Sequence, residues 1–389
     1  MRGYIKKLYK TSYTIVVPLG KDPATGKYKQ HWENIRGTKV EAERRLAELQ
    51  NEIYKGSFVK PQKLTVAEYL IDWIENTARF QVSPRTYQGY EYVIKKHLIN
   101  GIGRHYLSSL NGSIIQKYYA KKLTDARLDG KDGALSARTV RSHHRILHRA
   151  LKSAVVKRLI SSNPCDNTEP PVPINKEVHS MTNSQLKEFI VRLKGSPYYE
   201  LFYTSLFTGL RRSEILALRW QDIDLLNGYL TVNRSLHQIA GQFVFCEPKT
   251  EKSKATISLT TSTISVLENY KQRKVAEYIL MGKELKEADL AFCRLDGTPI
   301  PPHTISQYWR RFADRIGMSG IRLHDARHTH ATLMIKQGVN IKVVQERLRH
   351  KNIETTLGIY SHVLPGMQEE AAKIFDDEFA PEQSLEKVY

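Results

Sequence analysis

Between residues 208 and 362 lie five short runs of the side chains that phosphate chemistry uses. They are Thr208-Gly209-Leu210-Arg211-Arg212-Ser213-Glu214, Pro248-Lys249-Thr250, His324-Asp325-Ala326-Arg327-His328, Leu348-Arg349-His350 and Ile359-Tyr360-Ser361-His362. Attack on a phosphodiester adds negative charge to two non-bridging oxygens, so a site for it needs fixed donors aimed at them. Arginine suits that task because its planar fork meets phosphate oxygens two at a time and stays charged. A phenol of pKa about 10 is ionised to only about one part in a thousand at neutral pH. A tyrosine nucleophile therefore needs a base or a dense positive site beside it. His324 and Arg327 stand at i and i+3 and share a helical face. His324 and His328 also have the spacing of the zinc-binding H-E-x-x-H motif. Asp325, however, stands where that motif needs Glu, and Arg327 would repel a divalent ion. No metal is expected, and His328 reads as a buried, hydrogen-bonded histidine.

These residues need elements to hold them. Residues 182–365 alternate helices with a short β-rich block at Tyr229–Asn233, Gln242–Phe245 and Ala255–Leu259. Lys249 then falls on a turn between two strands, with Lys252 and Lys254 close enough to compete for its role. Upstream, Tyr4–Tyr9, Tyr13–Val17 and Tyr28–Trp32 read as strands, with hairpin chemistry at Asp22-Pro23-Ala24-Thr25-Gly26. Thr38 and Glu41 form a capping box that opens a helix. A second box, Thr65 with Glu68, starts an all-helical stretch with helices over 66–76, 84–99, 112–123 and 137–160. On the last of these, Arg138, Arg141, Arg145, Arg149 and Lys152 form one cationic stripe with no acid among them, which suits contact with phosphates. Residues 161–180, with four prolines, read as an exposed linker. The fold class expected is mainly α with small β-sheets.

The chain has 389 residues, with Lys+Arg 60 against Asp+Glu 40 and a formal charge of +20. Residues 1–62, 63–173 and 174–365 are each basic, and residues 366–389 are acidic. Basic charge spread over three regions fits an extended polyanion better than it fits ordinary solubility charge. Three widely spaced cysteines (Cys165, Cys246, Cys293) argue against a disulfide framework. No apolar run is long enough for a membrane span, and the first residues lack the apolar core of a secretory signal. A cytoplasmic, nucleic-acid-binding protein is expected.

Taken together and in this order, the five runs resemble the tyrosine recombinase (phage integrase) family. That resemblance implies site-specific cleavage and rejoining of duplex DNA through a covalent 3′-phosphotyrosyl intermediate, with no metal, ATP or other cofactor. Matching T-G-L-R-x-S-E selects Arg211 over Arg212, which would point about 100° away on a helix. Arg211 and Arg327 would bind the scissile phosphate, and His324 would bind it and handle protons. His350 would complete its hydrogen-bond shell. Lys249 would protonate the leaving 5′ oxygen, and Tyr360 would be the nucleophile. Glu214 and Asp325 would hold the cations. The family usually shows glycine where this chain has Arg349, which is tolerable if the backbone there stays right-handed. The implied domains are an arm-site-binding domain at 1–62, a helical core-binding domain at 63–173, a mixed α/β catalytic domain at 174–365 and a tail helix at 366–389. In the tail, Ala371, Ile374, Phe375 and Phe379 recur at helical spacing and would dock on a neighbouring subunit. The partners implied are double-stranded DNA with core and arm sites, a homotetramer on synapsed DNA, an excisionase and a host DNA-bending protein. A type IB topoisomerase and a non-catalytic DNA-binding regulator are the competing readings.

Overall fold

The computed structural model describes residues 3–21, 26–55, 58–60, 62–174, 179–247, 255–350, 352–360 and 367–379. The chain divides into two compact units, Met1–Asn175 and Lys176–Tyr389.

The first unit opens with strands β1 (Tyr4–Tyr9), β2 (Ser12–Lys21) and β3 (Tyr28–Arg36), joined antiparallel in the order β1-β2-β3. Alternation along β2 turns Ile15 and Val17 onto Leu49 of the helix Lys39–Tyr54, with Ile5, Ile35, Leu46 and Ile53 around them. That helix starts where the capping box expects it: the Thr38 amide donates to Glu41 Oε2 at 2.7 Å. A second, wholly helical core follows. Its first two helices run longer than the sequence implied. Val66–Trp73 runs on through a wide turn at Ile74–Ala78 into Arg79–Gln81, and Pro84–Val93 continues through Ile94–Leu98 into Ile99–Ile102. In both wide turns the closing amide bonds five residues back, Arg79 to Ile74 and Ile99 to Ile94. Gly112–Thr124 and Ala137–Val156 complete the set. The last ends four residues earlier than expected, at Val156, and Arg158 just beyond it has a φ of +54°.

One expectation fails here. Residues 163–169 are not exposed linker. Pro164–Asn167 forms a helical turn that buries Cys165 to 2% exposure, and Gln116 bonds the backbone of Glu169 through both ends of its amide. Turn chemistry at Asn163-Pro164 supplies a cap, with the Cys165 amide on Asn163 Oδ1 at 3.1 Å, so prolines here fold the chain back. On the helix Ala137–Val156, Arg138, Arg141, Arg145, Arg149 and Lys152 are all exposed, while Val140, Leu147, Leu151 and Ala154 are fully buried. Arg149 also donates to Tyr90 Oη and Gln81 Oε1, both at 3.2 Å.

The second unit is built on an aromatic core of Phe189, Phe202, Trp220 and Trp309. Strands β4 (Ile223–Asp224), β5 (Tyr229–Val232) and β8 (Ala255–Ser258) make one antiparallel sheet, and β6 (Ser235–Ile239) and β7 (Gln242–Cys246) make a separate hairpin. β4 and β6 were not foreseen. Ser235–Ile239 lacks a clean alternation and is held by its register with β7, from Ser235 opposite Cys246 to Ile239 opposite Gln242. β7 and β8, the strands on either side of residues 248–254, pair in different sheets. Helices Tyr199–Thr208, Arg212–Ile215, Leu323–Lys336, Ile341–Leu348 and Ile353–Tyr360 carry the remaining chemistry. A satellite core of Ala331, Ile335, Val344, Leu348 and Tyr360 fastens the last three together. No helix among the described residues is long and apolar enough to cross a membrane.

Leu147→Ala, at a wholly buried position, should destabilise the first unit by about 2–5 kcal/mol. Arg141→Ala, on the exposed stripe, should stay within about 0.5 kcal/mol. Urea denaturation of the full chain, followed through the first unit's transition, measures both.

Candidate active site

The helix Tyr199–Thr208 ends on Gly209, whose φ of +66° is left-handed and whose missing Cβ would lie 2.9 Å from atoms of His330 and Leu348. Released by that turn, Arg211 is extended and caps the short helix Arg212–Ile215. Its amide donates to Glu214 Oε2 at 2.7 Å and its Nη1 to Oε1 at 2.8 Å. Arg211 and Arg212 thus diverge because one precedes the helix, not because both lie on it. Arg212 is exposed, with Nη1 on Ser306 Oγ at 2.6 Å.

Arg327, 2% exposed, comes from the helix Leu323–Lys336. Its Nη1 donates to the Gly209 carbonyl at 2.7 Å, and its Nη2 donates to the Leu348 carbonyl. Burial, reinforced by the Arg211 charge, lowers its pKa to about 9, which leaves it charged at neutral pH. Arg211 and Arg327 therefore share one electrostatic neighbourhood, with Gly209 and Leu348 between their elements.

Arg349 departs from expectation. Its φ of +55° and ψ of +45° are left-handed, the conformation that ends the helix Ile341–Leu348. An L-residue gives up roughly 1–2 kcal/mol to adopt it. Its side chain, 7% exposed, pairs with Glu214 Oε2, and its carbonyl accepts from Arg211 Nη2 at 3.4 Å. Glu214 is thus shared by two arginines. Burial alone would raise its pKa, but the charges of Arg349 and Arg211 hold it below the usual range. The sequence treated position 349 only as a missing glycine; no local signal revealed the ion pair, whose partner is 135 residues away.

Asp325 is also corrected. Its carboxylate holds Arg322, through the amide at 2.7 Å and Nη2 at 2.9 Å, and holds neither Arg211 nor Arg327. The helical start of Leu323–Lys336 is what this pair secures. His324 lies one turn before His328, ring centres 4.7 Å apart and edge to face. Burial and the Arg327 charge lower its pKa. His350 Nδ1 meets Thr356 Oγ1 at 2.8 Å, and burial with the Arg327 and Arg211 charges pulls the ring down to about 4.

Tyr360 is wholly buried. Its Oη lies 2.9 Å from His328 Nδ1. Burial pushes the phenol up to about 12 while Arg327 pulls the other way, so in this arrangement the positive site does not by itself activate it. His328 is the buried, hydrogen-bonded histidine expected, but its partner is the phenol itself. Sequence reasoning could not see that bond across 32 residues. Arg347, also unforeseen, ties three elements: Nε to His330 Nε2, Nη1 to the Ser258 carbonyl and Nη2 to the Phe207 carbonyl, each at 3.0 Å. Lys249, Lys252 and Lys254 lie outside the described residues, as do Ser361 and His362. Among the described residues no cluster of three or more His, Cys, Asp or Glu could hold a metal ion.

The description "Phage integrase family" matches residues 179–366, and "Phage integrase, N-terminal SAM-like domain" matches residues 65–123. The ICEBs1 integrase of Bacillus subtilis (strain 168) is 30% identical over 375 residues, covering 96% of this chain and 99% of that protein. A "Tyrosine recombinase XerC-like" protein of Caldanaerobacter subterraneus subsp. tengcongensis is 28% identical over 396 residues, covering 97% and 98%. Among solved structures, the Tn1549 transposon integrase in complex with a circular intermediate DNA has TM-score 0.68 at 21% identity, covering 80% of this chain and 99% of that one. A lambda integrase dimer bound to a COC′ core site has TM-score 0.56 at 19% identity, covering 92% and 94%. The two structural likenesses are likenesses of fold.

Two outcomes are expected. Gly209→Ala should destabilise the second unit by about 1–3 kcal/mol and displace the carbonyl that holds Arg327, seen as a lower unfolding midpoint. Burial depresses His328 to about 4, His330 to about 3 and His350 to about 4, each below the unfolded value near 6.5. The unfolded chain then binds protons first, so stability is full above about pH 6.5 and declines as pH falls toward 4. Unfolding midpoints measured across that range check the sign.

Proposed function

The chain belongs to the phage integrase family, whose tyrosine recombinases cleave and rejoin DNA through a tyrosine, and on that premise we propose that it integrates and excises a mobile element by site-specific recombination. The observation that carries the assignment is the meeting of Arg211, Glu214, Arg349 and Arg327 around the Gly209 and Leu348 backbone, with the Tyr360 phenol within the field of Arg327. In this reading the forks of Arg211 and Arg327, with His324 and His350, bind the scissile phosphate and stabilise the charge that develops on it. Tyr360 Oη attacks phosphorus and passes its hydroxyl proton to His324, an O–P bond forms, and the bond to the 5′ oxygen breaks. Lys249 gives that oxygen its proton. The 3′-phosphotyrosyl bond keeps the energy of the phosphodiester, so rejoining is the same step run backward with a 5′ hydroxyl as nucleophile and needs no ATP. Glu214 orients Arg211 and Arg349. Because Tyr360 is fully buried, the site must open before the oxygen and the phosphate can meet.

The remaining assignments follow the same premise. Residues 1–62 bind arm sites through the three-stranded sheet and residues 63–173 bind core DNA, with Arg138, Arg141, Arg145, Arg149 and Lys152 on phosphates; the exposure of all five supports this. Residues 174–365 are the catalytic domain. The acidic tail docks on a neighbouring subunit of a tetramer, a role supported by Phe375 and Phe379, both 67% exposed. An excisionase and a host DNA-bending protein are the accessory partners, and the work is done in the cytoplasm of a bacterial host.

Tyr360→Phe should bind a nicked attachment-site duplex normally and form no covalent adduct; an adduct at wild-type level would sink the proposal. Lys249→Ala should slow cleavage of an ordinary duplex by about 10²–10⁴-fold. It should recover on a substrate whose bridging 5′ oxygen is replaced by sulfur, because a thiolate leaves without a proton. Failure to recover would move the general-acid role to another residue.

A further inference from the structure

The helix Leu323–Lys336 carries Arg327 and, one residue on, His328. His328 is 9% exposed, and its Nδ1 stands 2.9 Å from the oxygen that the proposed reaction uses as nucleophile. The ring is fixed on two sides, edge to face against His324 at 4.7 Å and against the Tyr360 ring with centres 5.8 Å apart. We propose that His328 is the positioning residue of the nucleophile, its Nδ1 accepting the Tyr360 hydroxyl hydrogen and so turning an oxygen lone pair toward the phosphorus. The proposal rests on Tyr360 being the nucleophile.

The direction of the hydrogen bond follows from the state of each partner. Burial, with the His324 ring beside it, holds the imidazole near 4, so it is neutral at physiological pH. The phenol, pushed up to about 12, keeps its hydrogen. The hydroxyl therefore donates, Nδ1 offers its lone pair, and Nε2 carries the ring's hydrogen. An imidazole so weakly basic is poorly matched to removing a proton from so weakly acidic a phenol, which makes orientation its task. The placement also has a mechanical consequence. Residues 327 and 328 hang from one helix, so the group that grips the phosphate and the group that grips the attacking oxygen cannot move independently. A misplacement of about 1 Å at an attacking atom is enough to lose on the order of 10²-fold in rate.

The test uses the full-length protein and a suicide duplex whose cleaved strand diffuses away, so that adduct accumulates at a measurable first-order rate, with DNA affinity measured separately. His328→Asn keeps an acceptor oxygen near the position of Nδ1, whereas His328→Gln carries it to the position of Nε2, and His328→Leu removes it. Adduct formation by the Asn variant should stay within about tenfold of wild type, while the Gln and Leu variants should fall by about 100-fold with DNA affinity unchanged. A 5′-sulfur substrate should leave the Gln and Leu variants slow, because their defect is at the attacking oxygen. The proposal is overturned if Gln matches Asn, if Leu cleaves within about threefold of wild type, or if sulfur restores either slow variant. Should Leu fail to fold, as judged by circular dichroism and DNA binding, the Asn–Gln contrast decides alone. Wild type and Tyr360→Phe run in the same assay: an adduct in both would fault the nucleophile assignment itself, and an adduct in wild type only leaves His328 as the sole matter at issue.

Discussion

The guanidinium of Arg327 is 2% exposed, and a charge placed so far from water must recover from protein dipoles what it gives up in hydration. It does so from two carbonyls that are themselves the ends of helices, Gly209 after Tyr199–Thr208 and Leu348 at the end of Ile341–Leu348. Such ends leave carbonyls without intrahelical partners, and they carry partial negative charge. Three helices are thereby bound to one cation. Gly209 has to be glycine for this to work, since a side chain there would strike His330 and Leu348 and push the first carbonyl away.

Around that fixed charge, a carboxylate distributes the rest. Glu214 is bonded by the amide and fork of Arg211 and paired with Arg349, which gives two buried or half-buried guanidiniums one common anion. With glycine at 349 the three charges Arg211, Glu214 and Arg327 would leave one net positive charge; Arg349 adds a second. The left-handed backbone it accepts is the conformational cost of that extra charge, and the Glu214 pair offsets it.

What was legible in the sequence is what is settled locally. Thr38 with Glu41, Thr65 with Glu68 and Ser83 with Thr86 set their helix starts through bonds spanning three residues, and each helix starts where expected. Arg211, Arg327, His350 and Tyr360 could be named from motif order, which is a resemblance and not a derivation of geometry. What escaped depends on partners far away in the chain. His328 with Tyr360, Arg349 with Glu214 and Arg347 with three elements leave no periodic trace. The wide turns at Ile74–Ala78 and Ile94–Leu98 escaped because one extra residue in a helix barely disturbs its apolar pattern. Prolines misled at 163–169, where they fold the chain back and do not extend it.

Tyr360 sits at zero exposure among Ala331, Ile335, Val344 and Leu348. On the proposed assignment of Tyr360 as nucleophile, the enzyme keeps its blade sheathed, and the sheath is the same apolar packing that holds three helices together. Drawing it would cost the folded protein part of its own cohesion, a toll that a full set of cognate contacts could meet and random duplex could not. Fidelity would then be written into the hydrophobic interior as much as into the surfaces that read the bases.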